Sequence, residues 1–196
     1  MLLIIKKICF ITLLTLAVVP LYAQESLSTA DQEKEYKVKA AFVYNFMKFV
    51  EWSSMEMGEG FKSSDDMVLS VVGDNPFGRS LDALETKSIN DKKISISYFE
   101  YSQLFNQESL AKLRESHVLF VCQSEKEHYS EILGYFEGKC ILTIGDEREF
   151  AAGSGMISFG IERGKICFDI NFNNAKESGV KISAKLLKLA RKVYKD

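Results

Sequence analysis

Between residues 29 and 51 apolar positions recur at helical spacing. Tyr36, Ala40, Val43, Met47 and Val50 form one stripe, and Phe42, Phe46 and Phe49 widen it until mainly Lys37, Asn45, Lys48 and Glu51 are left for water. Thr29 and Gln32 are spaced as a capping box at its start. A helix this apolar has to be covered on more than one side. Residues 53–66 show no period and contain two glycines, which reads as an exposed loop. The pattern then shortens. Residues 67–72 make an apolar strand that ends in Gly73-Asp74-Asn75-Pro76-Phe77-Gly78, where Asn75 and Pro76 suit the cap and first turn of a helix through Leu81, Leu84 and Glu85. Ile94 and Ile96 alternate with Lys93, Ser95 and Ser97 as a second strand with one wetter face. A helix over about 103–114, a buried strand over 117–122, a helix over 125–136 and a strand over 140–145 follow. Strand and helix thus alternate four times, the signature of a parallel sheet covered on both faces. The end differs: strands over 156–161 and 165–170 flank Glu162-Arg163-Gly164, a hairpin loop. A last helix is expected to carry Ile182, Leu186, Leu189 and Val193 on one side, beside a stripe of Lys181, Lys185, Lys188, Lys192 and Lys195. The expected fold is α/β, a mostly parallel sheet of about five to six strands with helices on both faces and a C-terminal β-hairpin plus helix.

The first 23 residues have another pattern. Lys6 and Lys7 precede an almost unbroken apolar run over residues 8–19, and Pro20-Leu21-Tyr22-Ala23 ends in a small residue suited to cleavage. A run of about twelve residues is short of the roughly 20 that span a bilayer. Residues 1–23 therefore read as a cleaved export signal, 24–35 as a polar N-terminal segment and 36–196 as a single α/β domain that works outside the cytoplasm, without inserting in the membrane. The chain has 25 basic and 27 acidic residues; losing Lys6 and Lys7 leaves 23 against 27, or −4, a balance that gives no field for nucleic acid. Of four cysteines, Cys122, Cys140 and Cys167 remain in the mature chain, all in apolar, strand-like contexts that suit small buried hydrophobes. No essential disulfide is expected, and Cys140 with Cys167 is the one pairing left open.

In an open parallel sheet the loops at the carboxyl ends of the strands form the ligand crevice. Gly73, Asp74, Asn75, Gly145 and Asp146 are the candidate ligand-binding residues on that basis, with free N–H groups at the turn after residue 72 able to attract an anion. Chemistry has little to work with. His117 opens a strand at the opposite edge, His128 sits on a helix, and Ser154 lacks the glycines two residues away that a nucleophile elbow requires. No phosphate loop, dinucleotide motif or metal-ligand spacing is present. No catalytic residue, metal ligand or cofactor is assigned. The first helix has more aromatic surface than one docking face needs, and Tyr44, Phe49 and Trp52 are the candidate interface residues.

Four motifs in order resemble a known family. They are residues 39–52 (KAAFVYNFMKFVEW), 72–78 (VGDNPFG), 142–146 with 155–159 (LTIGD and GMISF), and 165–171 with 180–187 (KICFDIN and VKISAKLL). The chain is similar to the YfiR/HmsC family of periplasmic regulatory proteins over about residues 36–194. That resemblance implies a sheet flanked by helices, a tendency to form a homodimer, and a regulator instead of an enzyme. It implies that the protein represses a membrane-bound signalling protein, a diguanylate cyclase or similar sensor of the inner membrane, by contact with its periplasmic domain, so that release raises cyclic-di-GMP and favours biofilm. The alternative is a periplasmic small-ligand receptor that uses the carboxyl-edge crevice.

Overall fold

The computed structural model describes residues 29–51 and 66–195. The expected export signal, Trp52 and nearly all of the expected loop lie outside the described residues. Helix α1 (Thr29–Phe49) runs into β1 (Val50–Glu51). The main sheet then takes β2 (Asp66–Val72), β3 (Ser88–Ile89), β4 (Lys92–Phe99), β5 (Val118–Val121), β6 (Leu142–Gly145), β7 (Ile157–Glu162), β8 (Lys165–Asn171) and β10 (Lys192–Tyr194). Helices α2 (Gln107–Leu113), α3 (Tyr129–Gly134), α4 (Arg148–Ala152), α5 (Phe172–Glu177) and α6 (Ala184–Leu189) lie between them, and β9 (Lys181–Ile182) pairs with β1 in a separate two-stranded ladder.

The eight strands lie in the order β10-β8-β7-β6-β5-β2-β4-β3. From β4 to β7 every neighbour is parallel, while β3 runs against β4, and β8 runs against β7 but parallel to β10. The fold is therefore α/β with a mainly parallel sheet, as the alternating pattern implied. The six strands read from the sequence are the long ones, and β3 and β10 are short additions at the two edges. Successive residues of a strand face opposite sides, and the sheet separates two cores. Met67, Leu69, Val71, Phe120, Ile144, Phe159 and Phe168 share a core with α1 on one face, and Val72, Leu119 and Val121 share one with Leu113 of α2, Ile132 and Leu133 of α3 and Phe150 of α4 on the other. Phe46 is the centre of the first core, its ring 5.6 Å from that of Phe159 and 4.9 Å from that of Phe168. Lys37, Asn45, Lys48 and Glu51 face water as the stripe required.

Two expected helices are lost or cut short, while the hairpin forms as read. The helix expected after Pro76 is a series of turns and a single 3-10 turn at Asp82–Leu84; Gly78 at φ +53° takes the chain out of helical geometry. Asn75 still caps, its Oδ1 accepting from the Phe77 N–H at 3.0 Å. The last helix shrinks to α6, capped by Ser183. Ile182 before it pairs with Val50, and Val193 after it pairs with Ile170, so the ends became strands. The lysine stripe is consequently spread over β9, α6 and β10. At the hairpin, Arg163 (φ 51°) and Gly164 (φ 73°) form a two-residue turn with positive φ at both positions, the geometry that matches strand twist.

No helix among the described residues is long and apolar enough to cross a membrane. Helix α2 has seven residues and depends on its cap: Asn106 accepts from the N–H groups of Glu108 (2.9 Å) and Ser109 (3.1 Å). Asn106→Ala is expected to cost about 1 kcal/mol in urea unfolding.

No disulfide joins Cys122, Cys140 and Cys167 to one another. The registers also decide the pairing that the sequence left open. Val121 lies opposite Gly145, Gly145 opposite Ser158 and Gly160 opposite Cys167. Cys167 is thus beyond the carboxyl end of β6, and Cys140 is before its amino end. That is about 20 Å along the strands, against a Cα limit near 7 Å for a bridge. Mass spectrometry of alkylated, non-reduced monomer is expected to find no link between Cys140 and Cys167.

Candidate functional site

The chain leaves β2 toward β4 on one side and returns to β5 on the other, so the carboxyl ends of β2 and β5 diverge. This is the switch point at which open sheets hold ligands. A hollow of about 350 Å³ opens there between Gln32, Tyr36, Asp74, Pro76, Gln123, Ser124 and Asp146. A second of about 440 Å³ adjoins it, with Glu35, Lys39, Arg148 and Phe159 in its wall.

The groups expected to receive a ligand are occupied by the protein itself. The Gly73 N–H donates to the Phe99 carbonyl at 2.9 Å, and the Asp74 N–H donates to Ser124 Oγ at 3.0 Å. Gly73 stands at φ +101°, and a Cβ there would lie 2.5 Å from Ser124 Oγ, so the glycine serves the close approach of the two loops. Gly145 has a similar purpose: its Cβ would lie 2.1 Å from the Phe150 ring, which also presses on Gly155. Asp74 and Asn75 are exposed.

Asp146 is the best-held group of the set. Its side chain is 1% exposed; Tyr36 donates its hydroxyl to Oδ2 at 2.5 Å and Lys39 donates Nζ to Oδ1 at 2.7 Å. The same ammonium meets Glu35 Oε1 at 2.5 Å and lies 4.4 Å from the Tyr36 ring centre. The Tyr36 ring packs edge-on against Phe77, and Phe77 against Phe120. Burial pushes the Asp146 carboxyl upward, opposed by the charge and hydrogen bond of Lys39 and the hydrogen bond of Tyr36. Burial and the neighbouring Asp146 charge push the Tyr36 phenol upward. These groups satisfy one another and latch α1 across the carboxyl edge of the sheet. Sequence reasoning places Tyr36 in the apolar stripe and gives Lys39 no role, so it misses the latch. A signal is present all the same, since Lys39 falls inside that stripe, three residues after Tyr36 and four before Val43.

His117 lies at the opposite edge, 1% exposed, its Nδ1 accepting from the Val68 N–H at 3.1 Å. Burial first, then the Lys92 charge, push its pKa down to about 4. Burial likewise raises the Cys122 thiol, which keeps it protonated and a poor nucleophile. Among the described residues no group of three or more His, Cys, Asp or Glu is placed to hold a metal ion.

The candidate interface residues are separated. Phe49 is half-buried, with Lys185 Nζ 4.8 Å from its ring centre. Tyr44 is half-buried on another side of α1, with Lys87 at 4.5 Å and Lys48 at 5.6 Å from its ring. Tyr44 lies in the wall of a third hollow, a groove of about 1070 Å³ between α1 and residues 75–87. The structure thus brings Tyr44 and Asn75 to one groove and Asp74 and Asp146 to another hollow, with Gly145 packed beneath Phe150.

A model of the YfiR/HmsC-like family matches residues 36–191. No curated protein matches the chain. Two solved structures are similar in fold. One is an ABC domain in complex with L-Trp from Streptococcus pneumonia, at 9% identity and a TM-score of 0.51, covering 68% of this chain and 57% of that one. The other is a conserved domain protein from Vibrio cholerae, at 12% identity and a TM-score of 0.55, covering 81% of this chain and 60% of that one. The chain spans less than two thirds of either structure, and identities this low speak for the fold alone.

Proposed function

Because the chain belongs to the YfiR/HmsC-like family, we propose that it is an exported regulator which holds down a membrane-bound signalling protein by contact with its periplasmic part. The observation that carries this reading is the extent of the family match, which takes in most of α1 and the sheet from β2 through β8. The target is a diguanylate cyclase or similar inner-membrane sensor, and release of the target raises cyclic-di-GMP. Residues 1–23 serve as the cleaved signal and 36–196 as the one folded unit, working as a homodimer. Deleting the gene in its own organism is expected to raise cellular cyclic-di-GMP, and a plasmid copy to lower it again. An unchanged level in both strains would remove the cyclase from the proposal, and failure to recover any membrane sensor with the tagged protein would remove the regulator itself.

Tyr44 belongs to the contact surface in this reading. Tyr44→Ala is expected to weaken recovery of the sensor while costing less than about 1.5 kcal/mol of stability, since the ring is only half-buried. A clear fall in melting temperature with undiminished recovery would make Tyr44 a packing residue.

The second reading, a small-ligand receptor, is favoured by the 350 Å³ hollow at the switch point. Its anion-seeking version is weakened by the internal hydrogen bonds of Gly73 and Asp74. Native mass spectrometry of protein purified from periplasm is its test, a retained small molecule supporting it and a bare chain counting against it.

A further inference from the structure

The groove beside α1 has walls of a particular kind. One is a face of α1 that presents Glu33, Lys37, Ala40, Ala41 and Tyr44; the other is residues 75–87, with Phe77, Arg79, Ala83, Leu84 and Lys87. Ala40, Phe77 and Leu84 are buried beneath it, while Ala41 and Ala83 are exposed and small, so another backbone can approach closely. From Gln32 to Asn45 the α1 wall is roughly 20 Å long, about three and a half turns of helix.

Both walls have spent their backbone hydrogen bonds internally. The α1 wall is helical throughout, and across the groove the N–H groups of Ser80, Leu84 and Lys87 donate to the carbonyls of Phe77, Leu81 and Leu84. Among the described residues neither wall offers a strand edge for an extended peptide to join, so whatever enters must satisfy its own backbone, and a helix does so. The charges also choose. The chain as a whole carries −2, yet among the described residues this lining holds three cations (Lys37, Arg79 and Lys87) against one carboxylate, that of Glu33. Arg79 is engaged by Asp82 at 2.9 Å, and Lys48 stands near the Tyr44 end. Lys37 and Lys87, on opposite walls, are left as the cations that flank the apolar floor.

We propose that this groove docks an amphipathic helix of the signalling partner whose apolar stripe is flanked by carboxylates, one row meeting Lys37 and the other Lys87. The inference rests on the regulatory reading above and adds the surface and the chemistry of the partner segment. Tyr44, braced by Lys87, is the aromatic anchor of the site.

The test uses the full chain in its own organism, with Ala41→p-benzoylphenylalanine in the groove and Phe105→p-benzoylphenylalanine as a control. Phe105 is 64% exposed and lies beside α2 on the far face of the sheet. Irradiation is expected to join the Ala41 probe, and not the Phe105 probe, to a membrane protein through a peptide with acidic residues at helical spacing. Adding Lys37→Glu and Lys87→Glu should cut that product at least tenfold with the melting temperature unchanged. A membrane protein captured only from the Phe105 probe leaves the regulatory reading standing and overturns the groove. The groove is also overturned if Ala41 captures only a second copy of the chain or lipid, or if charge reversal leaves the yield intact. Capture of a membrane protein by neither probe removes the regulatory reading and this inference together.

Discussion

Lys39→Met is expected to destabilise the protein by about 3–5 kcal/mol at pH 7 in urea unfolding. The size follows from what is left behind. Lys39 and Asp146 have side chains 5% and 1% exposed, and removing one partner of a buried pair strands the other charge. Burial already raises the Asp146 carboxyl against the opposing pull of Lys39. Without that pull the carboxyl has to take up a proton to remain inside. Protonating an ordinary carboxyl at pH 7 costs about 4 kcal/mol, which agrees with the range. The sign of the pH dependence is then determined. A carboxyl whose folded pKa is raised keeps its proton more readily when folded, so stability is regained as pH falls. Between pH 7 and pH 5 the gap between variant and wild type should narrow by about 2.5 kcal/mol. Combining Lys39→Met with Asp146→Asn should recover most of the loss, because the stranded charge is gone and Tyr36 keeps an acceptor. A loss under about 1 kcal/mol that does not change with pH would mean that the latch contributes little to holding α1.

The protein should also lose about 3 kcal/mol of stability between pH 6.5 and pH 4 on account of His117 alone. The imidazole is buried and neutral, with its pKa pushed down from 6.5 to about 4. In the unfolded chain it takes up a proton near pH 6.5; in the folded one it resists until about pH 4. The contribution is therefore complete above the unfolded value and disappears as pH falls through the window, at about 1.4 kcal/mol per pH unit. His117→Asn can keep an acceptor for the Val68 N–H without the titration. Chemical unfolding of both proteins at several pH values isolates the effect: the wild type should decline more steeply than the variant over this window. Parallel curves would show that His117 is not neutral in the folded state.

Both results depend on partners more than a hundred or about fifty residues away in sequence, Asp146 from Tyr36 and Val68 from His117. No local pattern carries that information. What local pattern does carry is plain in α1, where the residues left for water can be named from spacing alone, and in the hairpin, where Arg163-Gly164 makes the expected turn between strands that pair from Glu162–Lys165 back to Ile157–Ile170. Alternation in β4 and the apolar runs of β5 and β6 likewise reflect how many faces of each strand are covered.

Where spacing fails, a distant backbone has won. Ile182, Leu186, Leu189 and Val193 have helical spacing, but Leu189 is 62% exposed, because Ile182 joins Val50 and Val193 joins Ile170. A helix of that length is marginal in water, while strand partners at β1 and β8 satisfy the same N–H and C=O groups and bury Ile182 as well. Two of the candidate ligand residues have a packing use that only the fold reveals. Gly73 and Gly145 stand out in the sequence for the freedom of their backbones, and the fold uses the missing Cβ of each to bring Ser124 and Phe150 close. Periodicity, turn chemistry and composition by themselves determined the α/β class, the hairpin and the buried face of α1, since each depends on neighbours within a few residues. The latch at Asp146, the groove along Tyr44 and the strands at the chain's end were decided only in the tertiary structure. Which polar group meets which charge, and which free backbone edge is nearest, depends on how the sheet brings remote segments together.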